Sequence, residues 1–280
     1  MSKQTIAIFC VLLVLLTVVA PVHAQKLKPE ELVAKHLDSI GPADKRQAVT
    51  KRMTVGTAQV SFRVGGSGTL NGAGNILSDG NLLRLGFAFK ALDYSGEQVA
   101  FDGKKVTAGQ ISPGVYPPFS RFIYENDLLI KEGLLFGSLS TGWALLDVAG
   151  RKPKMESNGL KKIDGRQLHE MKYLARTSKG GLQAFFYFDP ETFRHVRSVF
   201  KMELPATQMS RITDSAELVR YQILEQYDNF KEVEGLMLPH SYKVDFTIDA
   251  PRGGLLTSWT HTIDRIAQNQ PIEQGVFSLQ

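Results

Sequence analysis

The sequence predicts a mainly β protein built on an antiparallel sheet, and three observations carry that expectation. From Thr50 onward apolar residues recur at every second position, the repeat of a strand whose two faces differ. Turn sequences separate the runs: Ser78-Asp79-Gly80-Asn81, Asp102-Gly103, Asp164-Gly165, Lys179-Gly180-Gly181 and Asp189-Pro190. One run is long and clean. Leu238, His240, Tyr242, Val244, Phe246 and Ile248 face one way, and Pro239, Ser241, Lys243, Asp245, Thr247 and Asp249 face the other. A strand of a parallel sheet, covered on both sides, does not alternate in this way.

Taken in order, the chain begins with Lys3, an uncharged run from Ile6 to Ala20, and Pro21-Val22-His23-Ala24. These are the three parts of a secretory signal peptide, with cleavage expected after Ala24. About 15 apolar residues fall short of the roughly 20 that a membrane-spanning helix needs. Removing residues 1–24 takes Lys3, so the formal net charge of +5 over 280 residues becomes +4, and it takes Cys10, the single cysteine. The expected mature protein, residues 25–280, is exported and has neither a disulfide, a thiol nucleophile, a thiolate metal site nor a lipidated N-terminal cysteine. An apolar content of 43% with 22% charged residues excludes a disordered tail, a collagen-like repeat and a polytopic membrane protein.

Lys28-Pro29-Glu30-Glu31 opens a helix, because proline is preset for the first helical position and two acids sit where the helix dipole favours negative charge. Val33, Leu37 and Ile40 share a face, and Gly41-Pro42 ends the helix. Residues 42–49 add a further turn or two. Strands follow: 55–64 with Gly56, Ala58, Val60, Phe62 and Val64 on one face, then 69–77, 82–89, 97–101, 104–111, 155–163, 167–176, 182–188, 194–203, 217–227, 238–249 and 255–267. Pro117 to Leu146 breaks the pattern. Phe119, Phe122, Ile123, Leu129, Ile130, Leu134 and Leu135 stand at mixed helical spacing, which predicts one or two helices capped at Ser120 and then a glycine-broken loop through Gly137, Gly142 and Trp143. No repeat or linker divides residues 25–280, so one domain is expected.

Motif chemistry is sparse. The histidines form no H-x-H or H-x-x-x-H pair, and His240, on an apolar strand face, reads as a hydrogen-bonded core residue. Gly137-Ser-Leu-Ser-Thr-Gly142 misses the spacing of a nucleophile elbow. Gly65-Gly-Ser-Gly68 with Gly72 and Gly74 lacks the Lys-Ser/Thr of a phosphate loop and reads as a hairpin or a bent strand. Arg151-Lys-Pro-Lys154, Lys161-Lys162 and Arg166 read as solvated turns, with anionic lipid headgroups as the alternative partner and no nucleic acid. The apolar supply is more informative. Ala184-Phe-Phe-Tyr-Phe188 and Leu82 to Phe89 are apolar on both faces, so a second face must be covered by helices or enclose a cavity.

Longer stretches carry a resemblance: Glu31 to Gly41, Phe101-Asp-Gly-Lys-Lys105, Leu139-Ser-Thr-Gly-Trp143, Lys161 to Leu168, Tyr187-Phe-Asp-Pro-Glu-Thr192 and Tyr227 to Pro239. In this order, after an export signal, the chain resembles the outer-membrane lipoprotein-sorting proteins (LolA/LolB-like). The resemblance implies a strongly curved antiparallel sheet, an incomplete β-barrel, with a few helices covering its concave side and a hydrophobic cavity for acyl chains. It implies no catalytic residue; from the histidine spacing no metal is expected, and no cofactor is expected. The expectation is a periplasmic, non-enzymatic carrier of lipid or lipoprotein acyl chains. Envelope membrane proteins are further partners, and an envelope sensor or scaffold of the same fold and a secreted hydrolase are the alternatives. From alternation, the lining would comprise Phe62, Leu85, Phe87, Phe89, Tyr242, Phe246 and Trp259 of the sheet with Phe122, Leu129 and Trp143 of the insert.

Overall fold

The computed structural model describes residues 26–177, 181–205, 218–251 and 253–279. The expected leader, residues 1–24, lies outside them, as do Lys179 and Gly180 of one expected turn and residue 217 of one expected strand.

Among the described residues, twelve strands form one antiparallel sheet that does not close into a barrel. They are β1 (Lys51–Val64), β2 (Gly68–Asp79), β3 (Leu82–Phe89), β4 (Gly96–Phe101), β5 (Val106–Ala108), β6 (Lys154–Ile163), β7 (Arg166–Leu174), β8 (Gln183–Phe188), β9 (His195–Pro205), β10 (Leu218–Val233), β11 (Leu236–Ala250) and β12 (Gly253–Gln268). Their spatial order is β5-β4-β3-β2-β1-β12-β11-β10-β9-β8-β7-β6. Two meanders therefore meet where the first and last strands pair, and the insert between β5 and β6 crosses the concave face that joins them. The helices are α1 (Pro29–Ile40) and α2 (Ala43–Ala48) before the sheet, and α3 (Pro118–Glu125), α4 (Leu128–Lys131) and α5 (Val148–Arg151) in the insert, with single 3₁₀ turns at Gly137–Leu139 and Ala144–Asp147.

Alternation sets what each strand buries. On β11 the even positions from Leu238 to Phe246 are buried and the odd ones mostly half-exposed, as expected, and His240 is a core residue with Nδ1 3.2 Å from the Leu238 carbonyl. On β12 the buried face is Thr257, Trp259, His261 and Ile263, then Ile266 and Gln268. The phase changes because Val55 pairs with Arg265 and Gly56 with Ile263, which leaves Asp264 as a bulge. Gly56 permits this: a Cβ there would stand 2.0 Å from the Thr262 carbonyl oxygen. Gly74 likewise leaves room for the His261 ring, 2.6 Å from where its Cβ would be. Gly56 thus admits the backbone of β12, and Gly74 admits the His261 ring.

Three local expectations are corrected. Ser120 is not the N-cap of α3; Pro117 is, with Pro118 at the first helical position. The fixed φ of consecutive prolines starts the helix earlier, and the Ser120 hydroxyl is engaged elsewhere. The strand expected at 104–111 is only β5, because Asp102 Oδ1 accepts from the backbone N–H groups of Lys104 (2.8 Å) and Lys105 (2.7 Å) and holds the chain in a turn. The strand expected to end at 227 runs on to Val233 and turns at Glu234-Gly235.

The second face of β3 is covered by a 3₁₀ turn, Gln274–Phe277, whereas among the described residues no helix covers that of β8. On β3 the outer-face Arg84 donates to the Val276 carbonyl at 3.0 Å, so the C-terminal segment with buried Phe277 lies there. On β8 the outward Phe185 and Tyr187 join Leu168, Val199, Val196, Leu224 and Ile163 in a small cluster separate from the main core.

Candidate binding cleft

At one end of the concave face α3 stands over the ends of β10, β11 and β12. Pro118, Arg121, Phe122 and Glu125 share one face of α3 by helical spacing and, with Tyr116, oppose Tyr221, Ile248 and Leu255 across a cleft of about 260 Å³. The floor is aromatic and aliphatic. Phe122 stacks on Tyr221 (4.8 Å between centroids, 18° between planes) and leans on Phe246 at 5.2 Å. Behind it, Phe119 stacks on Trp259 at 5.1 Å and touches Phe246 at 5.5 Å.

A buried polar chain fixes this layer. Trp259 Nε1 donates to the Tyr94 hydroxyl at 2.7 Å, and that hydroxyl donates to Glu97 Oε1 at 3.0 Å. The other carboxylate oxygen, Oε2, accepts from Ser120 N at 2.9 Å and Ser120 Oγ at 2.5 Å. One carboxylate on β4 thereby holds the first turn of α3. Burial pushes the Glu97 pKa up to about 7, against the opposing pull of the Ser120 and Tyr94 donors.

Beneath the insert the concave face is filled. Residues 134–146 of the insert lie on it, with the Phe136 N–H donating to buried Glu225 at 2.8 Å, Thr141 N to Ser78 Oγ at 3.0 Å and Arg52 to the Ser138 carbonyl. The Glu132 carboxylate accepts from the Tyr173 hydroxyl at 2.8 Å. Gaps along this stretch measure about 10 Å³ and 20 Å³, too small for an organic ligand. α1 closes the corner. His36 reaches into a box of Trp143 (5.1 Å), Phe188 (5.0 Å) and His195 (6.1 Å), and its Nδ1 meets the Phe193 carbonyl at 2.9 Å. Burial lowers the His36 pKa to about 4 and the His195 pKa well below the usual imidazole value, so both rings are neutral at pH 7.

This region also assembles the constellation that spacing could not show. His195 Nε2 lies 3.1 Å from Ser198 Oγ, and Ser198 is also hydrogen-bonded to Glu225. The order is histidine, serine, carboxylate, so the imidazole is not held between the other two as a nucleophile-activating relay requires. All three are buried, and Glu225 is further satisfied by the Tyr227 (2.7 Å) and Tyr242 (2.8 Å) hydroxyls. The cluster is a structural brace. Burial raises the Glu225 pKa, the largest of its causes.

Of the residues expected to line a cavity, Phe122 lines the cleft, and Phe246 and Trp259 underlie it. Phe62 and Phe89 pack on Tyr94 at 5.2 Å and 5.6 Å, and Leu85 and Phe87 are buried on the inner face of β3. Leu129, Trp143 and Tyr242 belong to the filled end. Tyr116, Pro118, Arg121, Glu125, Tyr221, Ile248 and Leu255 line the cleft as well, outside the expected lining set. Ile248 and Tyr221 carried a signal, since each continues the inward alternation of its strand to the sheet end.

The basic run disperses in space. Arg151 Nη2 donates to the Gly142 carbonyl at 3.0 Å and braces the insert, whereas Lys161 and Lys162 lie on the edge strand β6, where lysines discourage further strand pairing. Among the described residues no group of three or more metal-ligating side chains occurs, and no helix is long and apolar enough to cross a membrane.

No family model matches the chain, and no curated protein matches it. Solved structures are similar to it in fold. A LolA superfamily protein from Nitrosomonas europaea has a TM-score of 0.44 at 13% identity, covering 90% of this chain and 98% of that one. A DUF1329 family protein from Desulfovibrio piger has a TM-score of 0.42 at 11% identity, over 89% and 96% of the two chains. An outer membrane lipoprotein-sorting protein domain from Vibrio parahaemolyticus has a TM-score of 0.39 at 12% identity, over 88% and 97%.

Proposed function

We propose that the protein is a non-enzymatic, exported binding protein, one domain over residues 25–280 after cleavage at Ala24, that takes up the apolar tail of a lipid or lipoprotein in the cleft beneath α3. The observation that carries the reading is the contrast in volume along one face: about 260 Å³ between α3 and the ends of β10 to β12, against gaps of about 10 and 20 Å³ along the insert. The cleft is slightly below the roughly 300–1,000 Å³ of small-molecule sites, which gives room for part of one extended chain and not for two. Burial at about 25 cal/mol per Å² of apolar surface drives uptake. Release to a membrane requires that this gain be nearly matched there. Deeper uptake, involving Phe62, Leu85, Phe87, Phe89, Leu129, Trp143 and Tyr242, would require the insert to lift off the sheet.

The test is titration of the purified protein with a fluorescent fatty acid. Saturable binding that Ile248→Glu abolishes, with the melting temperature little changed, supports the reading. An empty protein that binds no amphiphile sinks it. A second reading, contact with another envelope protein, draws on the outer-face cluster around Tyr187 and the hollow of about 140 Å³ beside it, bordered by Arg166, Arg197, Asp164 and Asp228. It predicts that Leu168→Glu leaves fatty-acid binding intact and disrupts a protein complex.

A further inference from the structure

The cleft floor is apolar, but one wall carries two opposite charges. Because Pro118, Arg121, Phe122 and Glu125 share a helix face, Phe122 reaches the floor while Arg121 and Glu125 stand at the rim. Arg121 Nε donates to Glu125 Oε1 at 2.8 Å, and both side chains are about half exposed. Tyr116 lines the same cleft, and its ring stacks on Tyr124 at 5.7 Å and 14°. The pair also reaches across the cleft: burial raises the Tyr221 pKa, Glu125 raises it further and Arg121 lowers it.

Resting on the acyl-chain reading above, the geometry points to a single-chain amphiphile with a zwitterionic head, of the lysophosphatidylethanolamine or lysophosphatidylcholine type. Its tail occupies the cleft, its phosphate meets Arg121, and its ammonium meets Glu125 beside the Tyr116 ring.

Three features argue for this ligand. The volume admits a segment of one chain and leaves no room for a second. The two rim charges sum to zero, so a head with a net charge gains one contact and is opposed by the other, whereas a zwitterion matches both. The guanidinium has five N–H donors, and Glu125 is met through Nε, which leaves the Nη edge to present two donors to a phosphate. Tyr116 lines the same cleft as Glu125, and an aromatic ring there favours an ammonium group.

The experiment displaces a cleft-bound fluorescent fatty acid with lysophosphatidylethanolamine and with lysophosphatidylglycerol of equal chain length, both below their micelle concentrations. The zwitterionic lipid should bind more tightly, by about two- to fivefold, the range that one partly exposed charge contact is worth. Glu125→Gln leaves Arg121 unopposed and should reverse the preference towards the net-anionic lipid. Arg121→Gln should weaken both. The pair is an exposed i,i+4 bridge, so both variants should melt within a few degrees of the wild type. On the unaltered protein the preference should shrink as salt rises from about 0.01 to 1 M. Equal affinities for the two lipids, or a preference that neither salt nor Glu125→Gln moves, overturns the zwitterionic head and leaves the acyl-chain reading standing. Failure of the fluorescent fatty acid itself to bind overturns both.

Discussion

The two ends of the concave face are made from the same material and finished differently. At the filled end, α1 and residues 134–146 close over β8 to β11 and reach β1 and β2, and His36, Trp143, Phe186, Phe188, His195 and Tyr227 touch ring to ring. At the cleft end an eight-residue helix stands over an equally aromatic floor and is tethered at its first turn by Glu97. Length of cover decides the outcome, not apolarity. A long loop can follow the curvature of the sheet and fill it, whereas a short, straight helix touches it along one line and leaves a gap beside that line.

The ends also differ in how acid affects them. His36 has a folded pKa of about 4 against 6.5 unfolded, so the unfolded chain binds a proton that the folded one does not. Its contribution is present above about pH 6.5 and is lost as the pH falls towards 4. His195 acts in the same direction. Glu97 does the opposite: with a folded pKa of about 7 against 4.5, its contribution is complete below pH 4.5 and is lost as the pH rises through 7. Glu225, in the brace of the filled end, is raised as well and partly offsets the histidines there. The cleft end should therefore loosen first in mild alkali, and the filled end in acid.

The largest expected effect lies at the filled end. Trp143 is fully buried, and Trp143→Ala should cost about 3–5 kcal/mol in chemical denaturation. A loss under 1 kcal/mol would mean that this end is not filled in solution. Next come two effects of equal size and opposite sign. His36→Gln retains a donor for the Phe193 carbonyl but cannot take up a proton, so it should remove an acid-induced loss on the order of 3 kcal/mol between pH 6.5 and 4. Glu97→Gln should remove an alkaline loss of similar order between pH 4.5 and 7, read from denaturation midpoints across that range. If both variants keep the wild-type pH profile, the contrast between the ends has been misassigned. The smallest stability effect is at the cleft: Ile248→Ala, at a half-buried position, should cost about 1 kcal/mol or less yet weaken fatty-acid binding several-fold. Comparable losses of stability for Ile248→Ala and Trp143→Ala would erase the distinction.

Most of the sheet was legible because period two is a property of neighbouring residues. β11 shows this best, with each inward residue from Leu238 to Phe246 falling where alternation put it. α1 was legible for a similar reason, since proline at its first position, acids in its first turn and Gly41 after its end are local signals. The errors came where a distant partner intervened. Ser120 has the composition of a cap, but its hydroxyl serves Glu97, 23 residues away. The strand expected at 255–267 is present, but its bulge at Asp264 depends on Gly56, which lets the neighbouring strand come close. The cleft was half legible: Phe122, Phe246 and Trp259 were marked, while Arg121, Glu125 and Leu255 carry no pattern that separates them from ordinary surface and strand-end residues.

The chain on its own specified strands, turns, two terminal helices and an insert that is neither strand nor linker, because each depends on residues within a few positions of one another. It also left no spaced metal or nucleophile motif. Which covering lies over each part of the apolar face was decided only by the tertiary structure. Alternation states that a strand has an inner face but not what stands opposite it. Loop 134–146 fills one end, α3 spans the other, and the C-terminal segment covers the back of β3. Those pairings join residues far apart in sequence, and they depend on the curvature that the assembled sheet imposes on every segment crossing it.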